Sequence, residues 1–596
     1  MRLAVCFLPL FAFCGPPTML SQAEQFSAMY AQEIAKAAPP SPFPLADNCL
    51  QLASVWFSVD LGQLSVPKGR GALELFGTDE LWGALADLGV DAVWMEHLRA
   101  PGQLGVDPKW GGDWSKIDAG AHKRGVALIG DLVGNATAPG IDFQQALQNV
   151  GDYPNLYQLI EIDPKDWKLL PPAPMGDYET NIPWLTIQEL YKKGYVPEKF
   201  NPYIKESAWN ATTKIPGTDG KVRRWIYLKE GKNNPVLAWL SPSFAAYRLA
   251  AGDALQGSFQ LGQRIMRLDG AMPQIAQDTL SLWVRKIGAY STVTTDGTVE
   301  ALKKATADLA YDAATRPALL HALIAEDAGA LQMIYRLFLE LGIESKRLVH
   351  VLQPFDESVC DWVELMQNPK RKFRYHEEQI TGELLRRRLM KEDLVRLESP
   401  ERIPLTTWVD FCARALGVKD FEKHREEITR AHLLLAFAYA MQPGAFSFSM
   451  ADLLGALPEE TTSLDLMAPN SATLYSSLPT QMKNPRSFAS QLKAILASRR
   501  ESNIAAGELF AVPVAAHPGT LLLIHRLPNS GFIHLLALNF GRKQVGESIE
   551  LPQIRNTTAV DLMSNLAEEK VFSSSGFSFI LPPLSGRAFY FQPKYY

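Results

Sequence analysis

Strand-like runs alternate with helix-like stretches along most of this 596-residue chain, and that alternation limits the fold more than any other feature. Ser54 to Val59, Val90 to Met95 and Val126 to Val133 read as strands. Between them, Thr78 to Leu88 reads as a helix with Thr78 as N-cap and Gly89 as stop, and Asp113 to Arg124 as another. Further strands fall at a run ending in Asp269 and at 287–293, 308–313, 347–353 and 443–448. Helices are expected over 242–255, 273–286, 298–305, 327–341 and 427–441. Strands that return through helices run parallel. Eight of them fit a closed (β/α)8 barrel.

Two segments interrupt the pattern. Residues 136–243 are rich in Pro, Gly, Asn and Trp and too long for a simple loop, so they read as a subdomain inserted after strand three. Residues 360–425 form an excursion after strand seven that carries Lys370-Arg371-Lys372 and Arg386-Arg387-Arg388; the second cluster reads as a solvated helix face. The barrel region spans 51–504 and includes a helix at 486–500. From 505 to 596 the pattern becomes short alternating strands, such as Thr520 to Leu527 and Phe532 to Asn539, which implies an antiparallel β domain.

Residues 24–50 read as a helix and linker. Before them, Arg2 is followed by the apolar run Leu3 to Phe13, with Ser21 and Ala23 at signal-peptidase spacing. This implies a signal peptide, 1–23, cut before Glu24, and a secreted or periplasmic product. If the segment stays on, packed against the domain, the expectation is cytoplasmic. The run is too short to span a membrane. A net charge of −5 gives no reason to expect nucleic acid. Cys49, Cys360 and Cys412 are far apart and show no metal spacing. They are expected as buried thiols, with one disulfide allowed in an exported protein.

Chemistry concentrates first at Arg267-Leu268-Asp269. Alternation along a strand sends Arg267 and Asp269 to one side, and at a barrel's C-terminal rim both reach the same cleft. A guanidinium beside a carboxylate favours its charged form, as a nucleophilic aspartate in retaining glycoside hydrolysis requires. An ordinary ion pair at a strand end is the bland alternative. His97, after strand two, stands at the rim where it could contact a sugar. Trp94, Trp110, Trp114 and Trp184 are candidate sugar platforms, although core packing is the commoner use of such rings.

Several further motifs carry a resemblance. Asp131-Leu132-Val133-Gly134-Asn135 ends strand three, Arg267-Leu268-Asp269 ends strand four, and Gln353-Pro354-Phe355-Asp356-Glu357 follows strand seven. With Trp239-Leu240-Ser241-Pro242, Gln442-Pro443-Gly444 and Leu538-Asn539-Phe540-Gly541-Arg542, the chain resembles glycoside hydrolase family 13, the α-amylase family, and its trehalose synthase-like members. The resemblance implies action on α-glucosides such as maltose or maltooligosaccharides, by hydrolysis or glucosyl transfer. It assigns Asp269 as nucleophile, Arg267 as the group that holds it ionised, and Asp356 as transition-state stabiliser. Asp131 and Asn135 would support the site. It needs no cofactor, and calcium near the inserted subdomain is allowed without ligands that can be named.

The chain also departs from the family. Ala136 and Phe355 stand where the family carries histidines that donate to the sugar. For the acid/base glutamate, Glu326 in Leu323-Ile324-Ala325-Glu326 is a candidate, but only about 30 residues separate it from Asp356, the length of one βαβ unit. Strand five therefore ends near Val293, which puts Thr294 at the family's glutamate position; Asp296 is the nearest carboxylate. Two expectations follow: an active enzyme with an unusual acid/base, or a barrel that has kept the sugar cleft without turnover and serves as a carbohydrate-binding or interaction protein.

Overall fold

A computed structural model describes residues 18–593 apart from 67–68, 198–206, 232, 296, 353–358, 362–401, 405–406, 458–463, 470, 529–530, 565 and 571–575. Eight parallel strands close into a barrel: β1 Val55–Asp60, β2 Ala92–Glu96, β3 Ala127–Asp131, β4 Gln263–Leu268, β5 Tyr290–Val293, β6 Leu309–Tyr311, β7 Leu348–Val351 and β8 Ala445–Ser449. Each pairs with its sequence neighbours, and β8 closes on β1. The expected (β/α)8 order is therefore present, strand for strand.

The reason is visible in the side chains. Inward positions two residues apart carry Trp56, Ala92 and Trp94, Ala127 and Ile129, Leu309 and Tyr311, and Val349 and Val351, which fill the barrel interior. Outward positions such as Phe57, Val93 and Leu128 join a second, larger core beneath the helices. Helix Asp79–Leu88 begins after Thr78 and stops at Gly89, whose φ of 103° suits a residue without Cβ. After β6 the chain forms two helices, Arg316–Ala325 and Gly329–Leu341, where the sequence predicted one. Pro317 sits in the first turn of the unexpected helix, where its missing N–H has no consequence.

Between β3 and β4 the chain builds its own sheet around strand Trp225–Glu230, flanked by Trp209–Thr212, Leu159–Glu161 and Asn234–Pro235. This subdomain has a separate core of Ile162, Ile182, Ile187, Leu190 and Ile226. It is tied to the barrel where Thr137 N–H donates to the Pro235 carbonyl and Leu237 N–H to the Asn135 carbonyl.

The N-terminal residues pack closely. Helix Met19–Met29 lies against helix Ala245–Phe259, and a Cβ at Gly252 would stand 2.1 Å from the Ala23 carbonyl oxygen. The Met19 and Leu20 amides donate to Asp142 at 2.8 and 3.0 Å. The expected cut before Glu24 falls inside this helix, where Ser21 caps the first turn with Thr18 and Ala23 packs against Gly252. Cys49 and Cys412 are free and buried, and burial pushes both thiols up. Cys360 lies in strand Val359–Asp361, whose side chains are outside the described residues, as are both basic clusters. No helix among the described residues is long and apolar enough to cross a membrane.

The C-terminal region forms a six-stranded antiparallel sheet with a two-stranded one beside it. Strands Thr520–Arg526 and Ile533–Asn539 place His525 directly opposite His534, Nδ1 to Nδ1 at 3.1 Å and fully buried. Burial pushes His534 from 6.5 down to about 3. Burial first, and the His534 neighbour second, hold His525 well below 6.5. The unfolded chain therefore binds more protons than the folded one as pH falls below 6.5, so stability present above that value is lost on acidification. Going from about pH 7 to pH 5 should cost on the order of 2 kcal/mol through His534, and His525 acts in the same direction. Urea unfolding at the two pH values measures it, and His534→Leu should reduce the difference.

Candidate active site

The inward alternation of the barrel sets which side chains reach its C-terminal rim. Continuing from Trp56, Trp94 and Ile129, it brings Asp60, Glu96 and Asp131 to the rim, with Arg267 on β4 and Asp269 just after it. Glu96 is buried and lies in register with Asp60.

Arg267 and Asp131 form the centre of this layer. Arg267 Nε donates to Asp131 Oδ1 at 2.6 Å, and Trp94 Nε1 donates to Asp131 Oδ2 at 3.0 Å. The guanidinium lies 3.8 Å over the Trp94 ring and 6.0 Å from the Tyr311 ring centre. Aromatic faces and a carboxylate together hold this partly buried cation in place. The ion pair observed for Arg267 is with Asp131, the carboxylate that ends β3.

Asp269 is positioned by backbone instead. Asn135 N–H donates to Oδ2 and Ala271 N–H to Oδ1, each at 2.9 Å. Two fixed donors orient the carboxylate without a flexible partner. Gly270 makes this turn fit: a Cβ there would stand 2.0 Å from the Thr294 carbonyl oxygen. Thr294 N–H donates to the Leu268 carbonyl at 3.1 Å, and Thr294 Oγ1 accepts from Gly270 N–H at 2.8 Å. Thr294 therefore stands directly after β5, beside Asp269, and a hydroxyl cannot act there as a general acid of useful strength.

Asn135 is fully committed. Its Oδ1 accepts from Trp239 Nε1 at 3.2 Å, and its Nδ2 donates to Glu230 Oε2 at 2.9 Å. His97 leaves β2 with a positive φ of 57° and sets Nδ1 3.0 Å from Asp60 Oδ1, its ring half exposed. Behind the rim, Arg99 pairs with buried Asp253 at 2.7 Å and also donates to the Asp131 carbonyl. Asp253 Oδ2 accepts from Val133 N–H at 2.8 Å. Burial raises Asp253, and the charge of Arg99 offsets that only in part.

Other expected residues lie elsewhere. Glu326 does not join the cluster. It caps helix Arg316–Ala325 in a left-handed conformation, and its carboxylate takes Arg542 Nε at 3.3 Å and Arg542 N–H at 3.2 Å from the C-terminal domain. The unexpected helix after β6 carries it away from the rim. Glu326→Gln is expected to leave sugar turnover within about twofold and to cost under about 1 kcal/mol, as a surface pair does; steady-state rates and thermal melts check both. Asp356 and Asp296 lie outside the described residues. Trp94 is core, Trp114 Nε1 donates to the Leu261 carbonyl, and Trp184 packs inside the inserted subdomain. Trp110 Nε1 donates to the His97 carbonyl, which keeps it near the rim. Among the described residues no group of three or more His, Cys, Asp or Glu gathers to hold a metal ion, so no calcium ligands can be named.

Sequence reading missed Asp253, Arg99 and Glu230. Asp253 carried a signal: it is the one carboxylate in the mostly apolar helix Ala245–Phe259, and a carboxylate there needs a buried partner. Glu230 carried none, since its place depends on how the inserted sheet docks.

The geometry defines the class of fold: a (β/α)8 barrel with a subdomain after β3 and a C-terminal antiparallel β domain. No protein-family model and no curated protein matches the sequence. Solved structures do. The α-amylase from H. orenii superposes with a TM-score of 0.56 at 14% identity, covering 91% of this chain and 99% of its own. Bacillus licheniformis trehalose-6-phosphate hydrolase gives 0.57 at 13%, covering 92% and 100%. The Geobacillus thermoleovorans α-amylase, complexed with acarbose, gives 0.53 at 12%, covering 91% and 99%. At these identities the likeness is one of fold.

Proposed function

We propose that this chain is an α-amylase-family enzyme that transfers or hydrolyses α-glucosyl units of maltose or maltooligosaccharides with retention, in the manner of trehalose synthase-like members. The observation that carries this reading is Asp269: a carboxylate at the C-terminal end of β4, oriented by two backbone amides beside the Asp131–Arg267 pair. Active sites of such barrels are built on that face. An aspartate fixed there can attack an anomeric carbon, and the retained product needs a covalent intermediate of this kind. The names of the similar structures, α-amylase and trehalose-6-phosphate hydrolase, and the acarbose complex among them, support an α-glucoside as ligand. The run Leu3 to Phe13 after Arg2 supports export.

Thr294 beside Asp269 favours a second reading, a cleft that binds sugar without turning it over. Incubation with maltose, trehalose and maltooligosaccharides, followed by chromatography, separates the two. Glucose or new oligosaccharides that vanish in Asp269→Asn support the enzyme. Saturable sugar binding with no product supports the second reading, and neither product nor binding overturns both.

A further inference from the structure

If the chain is a retaining enzyme, as proposed above, it needs a proton donor, and neither Thr294 nor Glu326 supplies one. We infer that Glu230, from the inserted subdomain, is that acid/base, delivered to Asp269 through Asn135.

Three observations carry this. Asn135 touches both carboxylates: its N–H donates to Asp269 Oδ2 and its Nδ2 to Glu230 Oε2, each at 2.9 Å. Bond lengths within one asparagine then limit the two bonded oxygens to about 11 Å apart, a range that includes the separations of about 5–5.5 Å used by retaining pairs. The amide cannot turn the other way, because Trp239 Nε1–H needs an acceptor and so fixes Oδ1, leaving Nδ2 for Glu230. Glu230 is also exposed, so a sugar can reach it, while the strand that bears it is fixed to the rim. Asn234 pairs with Glu230 in the sheet, and the Leu237 amide and Pro235 carbonyl bond the loop after β3 at Asn135 itself and at Thr137.

The chemistry balances on these two groups. Asp269 forms a bond to the anomeric carbon while the glycosidic C–O bond breaks. The leaving oxygen takes its electron pair and the proton of the Glu230 carboxylic acid. Oε2 accepts from Asn135 whether Glu230 is protonated or not, which leaves Oε1 to carry that proton. In the second step water attacks the same carbon, Glu230 takes the water proton, and Asp269 leaves as carboxylate.

Glu230→Gln keeps an acceptor for Asn135 and removes the proton. Maltose and α-glucosyl fluoride are compared in the wild type and the variant, with and without azide, alongside thermal melts. Fluoride leaves without protonation, and azide attacks without a base. The expected result is a loss of about 10²- to 10⁴-fold on maltose, an unchanged melt, and α-glucosyl azide formed from the fluoride. Maltose turnover within about threefold of the wild type would overturn the assignment. So would equal loss on both substrates with no azide product, which would mark Glu230 as a structural acceptor. A wild type inert to both substrates would overturn the enzyme reading itself, and this inference with it.

Discussion

Asp269→Asn is expected to reduce turnover of maltose and maltooligosaccharides by about 10⁴-fold or more, the scale on which loss of a nucleophile is felt. The fold should be untouched. Asparagine still offers a carbonyl oxygen to one of the two amides, Asn135 N–H or Ala271 N–H, that hold the aspartate. What disappears is a charged oxygen able to bond to carbon. Steady-state rates and a thermal melt on the same preparation separate the two effects. A variant with wild-type rates would remove Asp269 from the reaction.

Asp253→Ala should destabilise the fold by about 3–5 kcal/mol, because it strands a cation in a mostly buried place. Asp253 is 1% exposed and Arg99 20%. The substitution also leaves Val133 N–H without its acceptor. The rim would move with it, since Arg99 donates to the Asp131 carbonyl. Burial raises Asp253 more than Arg99 lowers it, so the pair does not fully offset its own desolvation. The double variant Arg99→Met with Asp253→Leu should therefore unfold at a higher temperature than Asp253→Ala alone. Equal losses would mean that the cost arises from packing.

Much of the barrel was readable in the sequence because its strands alternate in a simple way. Trp56, Trp94 and Ile129 point inward, and helix Asp79–Leu88 between β1 and β2 starts after Thr78 and stops at Gly89. The two helices after β6 were harder to separate, since Leu319 to Ile324, apolar apart from His321, is buried throughout and gives no helical face. At the site, Asp131, Asn135, Arg267 and Asp269 all reach one layer of the rim, yet their pairings are tertiary facts. Nothing in the spacing of Arg267 and Asp269 reveals that the arginine turns to Asp131 and stacks on Trp94. Glu230 lies 95 residues from Asn135, and only the docking of the inserted sheet brings them together.

The most direct test is the anomeric form of the first glucose released from α-glucosyl fluoride, followed by proton NMR before mutarotation. A covalent intermediate on Asp269 predicts α-glucose first. Appearance of β-glucose first would mean that water attacks directly, and would contradict the nucleophile assigned to Asp269.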